Sequence, residues 1–184
     1  PVRVAADQRH LAHADGTPFF WLGDTWWKGL CGRLPFKGFV ELTADRREKG
    51  FTVVQIVAGP LPDEPPFDPR WGNEGGLPYL RDYEHLNPAF FDHADRRLQH
   101  LIDQGLMPAI VGGWGWHMPS IGVERLTRHW RYLIARYGAY PVAWIVGGEA
   151  GGPEWTAVVR AVRSMDPYHR LTTVHPYNSG RQSL

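Results

Sequence analysis

The chain has 184 residues, enough for one domain, with nine Trp and a net charge of +1 from 20 basic and 19 acidic residues. The charges are interspersed apart from short pairs such as Arg46-Arg47 and Arg96-Arg97, so no basic stripe points to a nucleic-acid partner. No apolar run approaches the roughly 20 residues that span a bilayer, and Cys31, the only cysteine, excludes an internal disulfide.

The opening Pro-Val-Arg-Val has neither an initiator Met nor a signal-peptide pattern, which fits a processed chain or one that starts downstream of a leader. Val2 to Ala6 and His10 to Ala14 alternate weakly, and the turn dipeptide Asp15-Gly16 follows, which predicts a short β-hairpin. Phe19 to Gly23 is a continuous apolar run and reads as a strand buried on both faces. Phe36 to Lys49 reads as a helix closed by Gly50, and Phe51 to Val57 as a β-branched strand. A connection rich in Pro and Gly runs from Gly59 to Leu86. Asn87-Pro88 then supplies an N-cap and a first-turn Pro. Phe90, Ala94, Leu98, Leu101 and Ile102 share one helical face, which Gly105 ends.

Leu106 to Val111 is the next strand, and Leu126, Trp130, Leu133, Ile134 and Tyr137 mark the next helix. Val142 to Val146, a helix around Trp155 to Val162, and Leu171 to Val174 complete the series. Strands that alternate with helices imply parallel pairing and right-handed crossovers. An open doubly wound sheet would be favoured by a phosphate-binding Gly fingerprint after the first strand, but Gly23-Asp24-Thr25-Trp26-Trp27 is not one.

Every strand instead ends in residues with chemistry, as the C-terminal strand ends of a (β/α)8 TIM barrel do. The fold class expected is therefore α/β, with an N-terminal β-hairpin and roughly strands one to five of such a barrel over residues 1–184. A complete barrel needs about 250 residues, so strands six to eight are expected from a downstream segment or another chain.

Glu149 follows an apolar strand and lies between Gly147-Gly148 and Ala150-Gly151-Gly152, where small neighbours let a ligand come close. A carboxyl group held there can protonate a leaving-group oxygen. The bland alternative is a solvated turn Glu or a capping partner for the helix at Trp155. Asp24, beside Trp26 and Trp27, could hold sugar hydroxyls while an indole packs on the sugar face, or could hydrogen-bond backbone and orient a neighbour.

Gln55, Trp114, His117, His175 and Tyr177 sit at the other strand ends as candidate substrate contacts. A lone His is more often structural, and Trp116 could equally pack beneath a helix. Asn73 and Glu74, in Gly72-Asn73-Glu74-Gly75-Gly76, are candidate contacts carried by the long loop. Trp130, Trp144 and Trp155 fall on apolar faces and read as core. His117, His175, Glu149 and Asp24 could converge on a metal, but no His pair has familiar ligand spacing. No metal or other cofactor is therefore expected. A Gly-x-Ser-x-Gly nucleophile elbow is absent.

The segment Asp15 to Trp26 (DGTPFFWLGDTW) resembles the opening of the apiosidase-like barrel proteins grouped around glycoside hydrolase family 140. Arg46 to Gln55 (RREKGFTVVQ), Gly72 to Gly76, Asn87 to Asp95 (NPAFFDHAD) and Trp144 to Glu149 (WIVGGE) continue the match in order. The resemblance implies a retaining glycosidase acting on complex polysaccharides or oligosaccharides, secreted or periplasmic in a bacterium. Its acid/base carboxylate matches Glu149, and its nucleophile would come from strand seven, beyond Leu184. Family members often carry Asp where this chain has Glu149. Related retaining barrels often have Asn directly before the acid, where Gly148 stands here.

The carbohydrate is thus the expected partner, with neither nucleic acid nor membrane. The competing readings are a non-catalytic or degenerate carbohydrate-binding barrel and a metal-dependent barrel hydrolase.

Overall fold

The computed structural model describes residues 2–80 and 82–176. Three short strands, β1 (Val2–Val4), β2 (Leu11–His13) and β3 (Pro18–Phe19), form an antiparallel meander. The Asp15-Gly16 turn joins β2 to β3. The Asp15 carboxylate accepts the Thr17 amide at 3.0 Å, and Gly16 takes a φ of +90° that side chains disfavour.

The main sheet has five parallel strands: β4 (Gly23–Trp26), β5 (Val53–Val57), β6 (Met107–Val111), β7 (Ala143–Gly148) and β8 (Thr172–His175). Between them run α1 (Phe36–Glu48), α2 (Pro88–Asp103), α3 (Met118–Tyr137) and α4 (Pro153–Met165). The strands lie side by side in chain order, with no reversal. A doubly wound sheet reverses its order at a switch point, whereas a barrel winds in one direction, so the topology is the barrel's.

Register sets which residues face inward. Thr25 lies opposite Gln55, Gln55 opposite Ala109, and Ala109 opposite Ala143, and parallel partners share a face. Val53, Val57, Met107, Ala109, Val111, Ala143 and Ile145 form an inner cluster, on which Val2 and Phe19 of the meander pack. Val54, Ile56, Ile110, Trp144 and Val146 face outward into a second core with α1 to α4. Trp130, Trp144 and Trp155 are buried there, as expected of core residues. Trp130 donates its indole N–H to the Val146 carbonyl at 3.2 Å, and Trp144 donates to Asp166 at 2.9 Å.

Two expectations need correction. The first barrel strand is Gly23–Trp26 rather than Phe19 to Gly23. Phe19 pairs with Leu11 in the meander, and Phe20 is 75% exposed, so the apolar run spans a junction and not one strand. Asn87 precedes α2, but its side chain makes no cap bond. It donates instead to the Gly75 and Leu77 carbonyls at 2.8 Å and ties the long loop to the helix start.

That loop is built, not loose. The Asn73 amide nitrogen donates to the Phe90 carbonyl at 2.9 Å, and its oxygen accepts the Gly75 amide at 2.8 Å. Glu74 pairs with Arg97 of α2 at 3.1 Å, and Arg97 also donates to the Leu34 carbonyl. The Arg97 side chain is only 1% exposed, so its charge depends on Glu74 and that carbonyl. Burial alone would raise the Glu74 pKa, but hydrogen bonds led by Arg97 outweigh it and hold the carboxyl below its ordinary value.

Arg97→Ala should therefore lower the unfolding free energy by about 2–4 kcal/mol in chemical denaturation. Glu74→Gln should cost about 1 kcal/mol, because Glu74 is partly solvated. A carboxyl with a lowered folded pKa stabilises above its unfolded pKa and stops doing so as pH falls through the folded value. The wild-type advantage over Glu74→Gln should thus hold at neutral pH and fade below about pH 5. An advantage that stays level down to about pH 3 would contradict the pairing.

Candidate functional site

Four features at C-terminal strand ends meet at one rim. Trp27 directly follows β4, Trp114 follows β6, Glu149 follows β7, and His175 closes β8. The Trp27 and Trp114 rings meet edge to face with centroids 5.2 Å apart. His175 lies 5.7 Å from Trp27 and 5.2 Å from Trp114. Trp116 adds a ring 5.8 Å from Trp114 and is 44% exposed, an aromatic wall open to solvent. Flat indole faces beside a carboxylate suit the C–H faces and hydroxyls of a sugar.

Glu149 is held at several points. Its backbone amide donates to the His175 carbonyl at 2.7 Å, and its φ of +47° lies in the left-handed region. A non-glycine residue there is strained and stays only where its surroundings enforce it. The indole N–H of Trp114 reaches the Glu149 carboxylate at 3.4 Å. The Glu149 side chain lines an open cleft with Gly115, Met118, Pro119, Glu154 and Trp155.

Two glycines make this approach possible. A Cβ on Gly115 would lie 2.1 Å from the Glu149 carbonyl oxygen, and one on Gly148 would lie 2.1 Å from the Trp114 ring. The sequence signal was the pair of glycine runs, Gly112-Gly113 with Gly115 and Gly147-Gly148, at adjacent strand ends. The small residues flanking Glu149 are expected from the sequence to admit a ligand, whereas Gly148 admits the Trp114 indole and Gly115 the Glu149 backbone.

The remaining candidates divide. Gln55 faces inward from β5, and its buried amide nitrogen has no partner among the described residues. His117 is 6% exposed, and its Nδ1 accepts the Trp114 amide at 3.2 Å, so the ring serves the loop and not the open cleft. Burial pushes its pKa down to about 4, with a Leu61 backbone hydrogen bond acting the other way.

Asp24 and Trp26 face α1, away from the Trp27–Trp114–His175 cluster. They lie opposite Val54 and Ile56 in the outward row, and Trp26 packs on Phe39. Asp24 accepts the Trp26 indole N–H at 2.8 Å and pairs with Arg46. Burial opposes ionisation of Asp24, yet these bonds win and lower its pKa. The alternative kept open for Asp24, orientation of a neighbour, describes this placement. Asn73 and Glu74 serve the loop latch to α2. Tyr177 lies outside the described residues. Among the described residues, no three His, Cys, Asp or Glu side chains form a group that could hold a metal ion.

The geometry matches known barrels. A structure of a glycoside hydrolase family 5 protein from Bacteroides vulgatus superposes with a TM-score of 0.79 at 23% identity. It covers 95% of this chain and 39% of that one. A family 5 mannosidase from Rhizomucor miehei gives 0.74 at 14% identity, covering 98% of this chain and 56% of that chain. The exo-β-1,4-mannosidase of an Opitutaceae bacterium gives 0.67 at 16%, covering 91% and 34%. This chain thus spans about two fifths of the length of the first of these structures. No curated protein sequence matches it. The model of the apiosidase-like catalytic domain matches residues 5–184, and the chain belongs to that family.

Proposed function

We propose that this chain is part of a retaining glycoside hydrolase acting on a complex polysaccharide or oligosaccharide, with Glu149 as general acid/base. The nucleophile is assigned to a barrel strand outside these 184 residues. The observation that carries the reading is the enforced left-handed backbone of Glu149 at the centre of an aromatic strand-end cluster. Strain retained at one carboxylate, with an indole donor aimed at it, is a pattern of functional sites. Family membership supports sugar chemistry, and two of the structural neighbours are named as mannosidases.

In the reaction, the protonated Glu149 carboxyl would donate to the glycosidic oxygen as the bond to the anomeric carbon breaks. The nucleophile would take the anomeric carbon, and the resulting carboxylate of Glu149 would then draw a proton from the incoming water. Trp27, Trp116 and His175 would border the sugar, with Gln55 beneath it.

Glu149→Gln in the full-length protein tests this on a panel of aryl glycosides. Turnover should fall about 100-fold or more with poor leaving groups and much less with dinitrophenyl leaving groups. Near-wild-type rates on both would remove Glu149 from the chemistry. A second experiment reads the backbone strain. Glu149→Gly should unfold at higher denaturant than Glu149→Ala, by about 1 kcal/mol, since both lose the carboxylate but only Gly relaxes at positive φ. Equal stability would show that the left-handed conformation is not enforced.

A further inference from the structure

The hydrogen bond that reaches Glu149 is fixed from behind. The Trp114 N–H donates to Nδ1 of His117 at 3.2 Å, and the His117 N–H donates back to the Trp114 carbonyl at 2.9 Å. This reciprocal pair closes a tight turn (Gly115–His117) just before α3. The turn carries the Trp114 indole over bare Gly148, where a Cβ would lie 2.1 Å from the ring, and to the Glu149 carboxylate. Any side chain at position 148 would need the space the indole fills. The polar donor beside Glu149 therefore comes from the neighbouring strand end.

We infer that His117 is a positioning residue, which acts through Trp114 to keep an indole N–H on the Glu149 carboxyl group. This rests on the reading of Glu149 as acid/base. An N–H donor stabilises a carboxylate more than the acid, so its loss should show in the basic limb of the rate profile.

His117 can perform this role because it stays neutral. As an imidazolium, both ring nitrogens would donate, and Nδ1 could not accept the Trp114 amide. Burial keeps the ring neutral across the physiological range. The titratable groups around it line the cavity inside the long loop: Glu64, Asp68, Tyr79 and Tyr83. Those beside Glu149 are Glu154, at the start of α4, and His175 on β8. Both are present in every variant used below.

The test is the pH dependence of kcat/KM on a poor-leaving-group aryl glycoside, for full-length wild type, His117→Ala, His117→Asn and Trp114→Phe. The basic limb reports the acid catalyst in the free enzyme. His117→Ala and Trp114→Phe should each move that limb up by about half to one pH unit. For His117→Ala, kcat should also fall about tenfold while KM changes less than about threefold. His117→Asn, whose amide oxygen can accept the Trp114 N–H, should return the limb to the wild-type position.

A His117→Ala limb at the wild-type position overturns the inference, as does an Asn variant no better than Ala. Should His117→Ala fail to fold, Trp114→Phe decides, and an unmoved limb there overturns it. Failure here is separable from failure of the glycosidase reading. Glu149→Gln lowers turnover of poor-leaving-group substrates if that reading holds, whatever the His117 variants do.

Discussion

The end of β7 lies against the turn after β6 with no side chain between the two backbones, and the site depends on that contact. The parallel ladder continues past the regular strands. The Gly148 amide donates to the Gly113 carbonyl at 3.0 Å, and Trp114 and Gly148 form a further parallel bridge. Only glycine permits this approach, because a methyl group at 115 or 148 would strike the Glu149 carbonyl or the Trp114 ring. From the same contact follow the left-handed φ of Glu149, the bond from its amide to His175, and the indole donor at its carboxylate. Rigid strand ends thus hold a carboxylate that a solvated loop would let wander.

Around this contact the sheet divides labour between its faces. Outward residues of β4 to β7 pack on four helices and include Trp26 and Trp144. Inward residues fill the middle of the barrel wall, and the meander adds Val2 and Phe19 to them. The long connection after β5 is tied to α2 through Glu74 and Arg97, and to α3 through Glu84 with Arg125 and Arg128. Its length serves attachment to the helical layer at least as much as it serves the rim. A loop anchored by a buried cation cannot shift without leaving that charge unpaired.

Much of this was legible in the sequence because helix faces and glycine stops have local causes. Phe90, Ala94, Leu98 and Leu101 lie on one buried face of α2, and α4 gives way at Asp166 as the Asp-Pro step requires. The barrel winding followed from chemistry at successive strand ends. Facing was harder to read. A two-residue period says that Asp24 and Thr25 oppose each other, but only register against β5 says that Thr25 points inward and Asp24 meets Arg46. Asn73, Glu74 and Asn87 carry the polar groups of a binding loop, yet their partners lie on α2 or elsewhere in the loop. Contacts so far apart in sequence leave no periodic trace. The glycine runs were visible, but that an indole rather than a ligand fills their space needed the third dimension.

The most direct measurement is the structure of the full-length protein with a slow 2-fluoro glycoside bound at the rim. The expected result is a second carboxyl group, from a later barrel strand, about 5–5.5 Å from that of Glu149 across the anomeric carbon. That nucleophile should be joined covalently to the anomeric carbon, the leaving group gone, with Glu149 on the opposite face where the incoming water approaches. A sugar bound elsewhere, or a barrel closed with no second carboxyl group opposite Glu149, would contradict it.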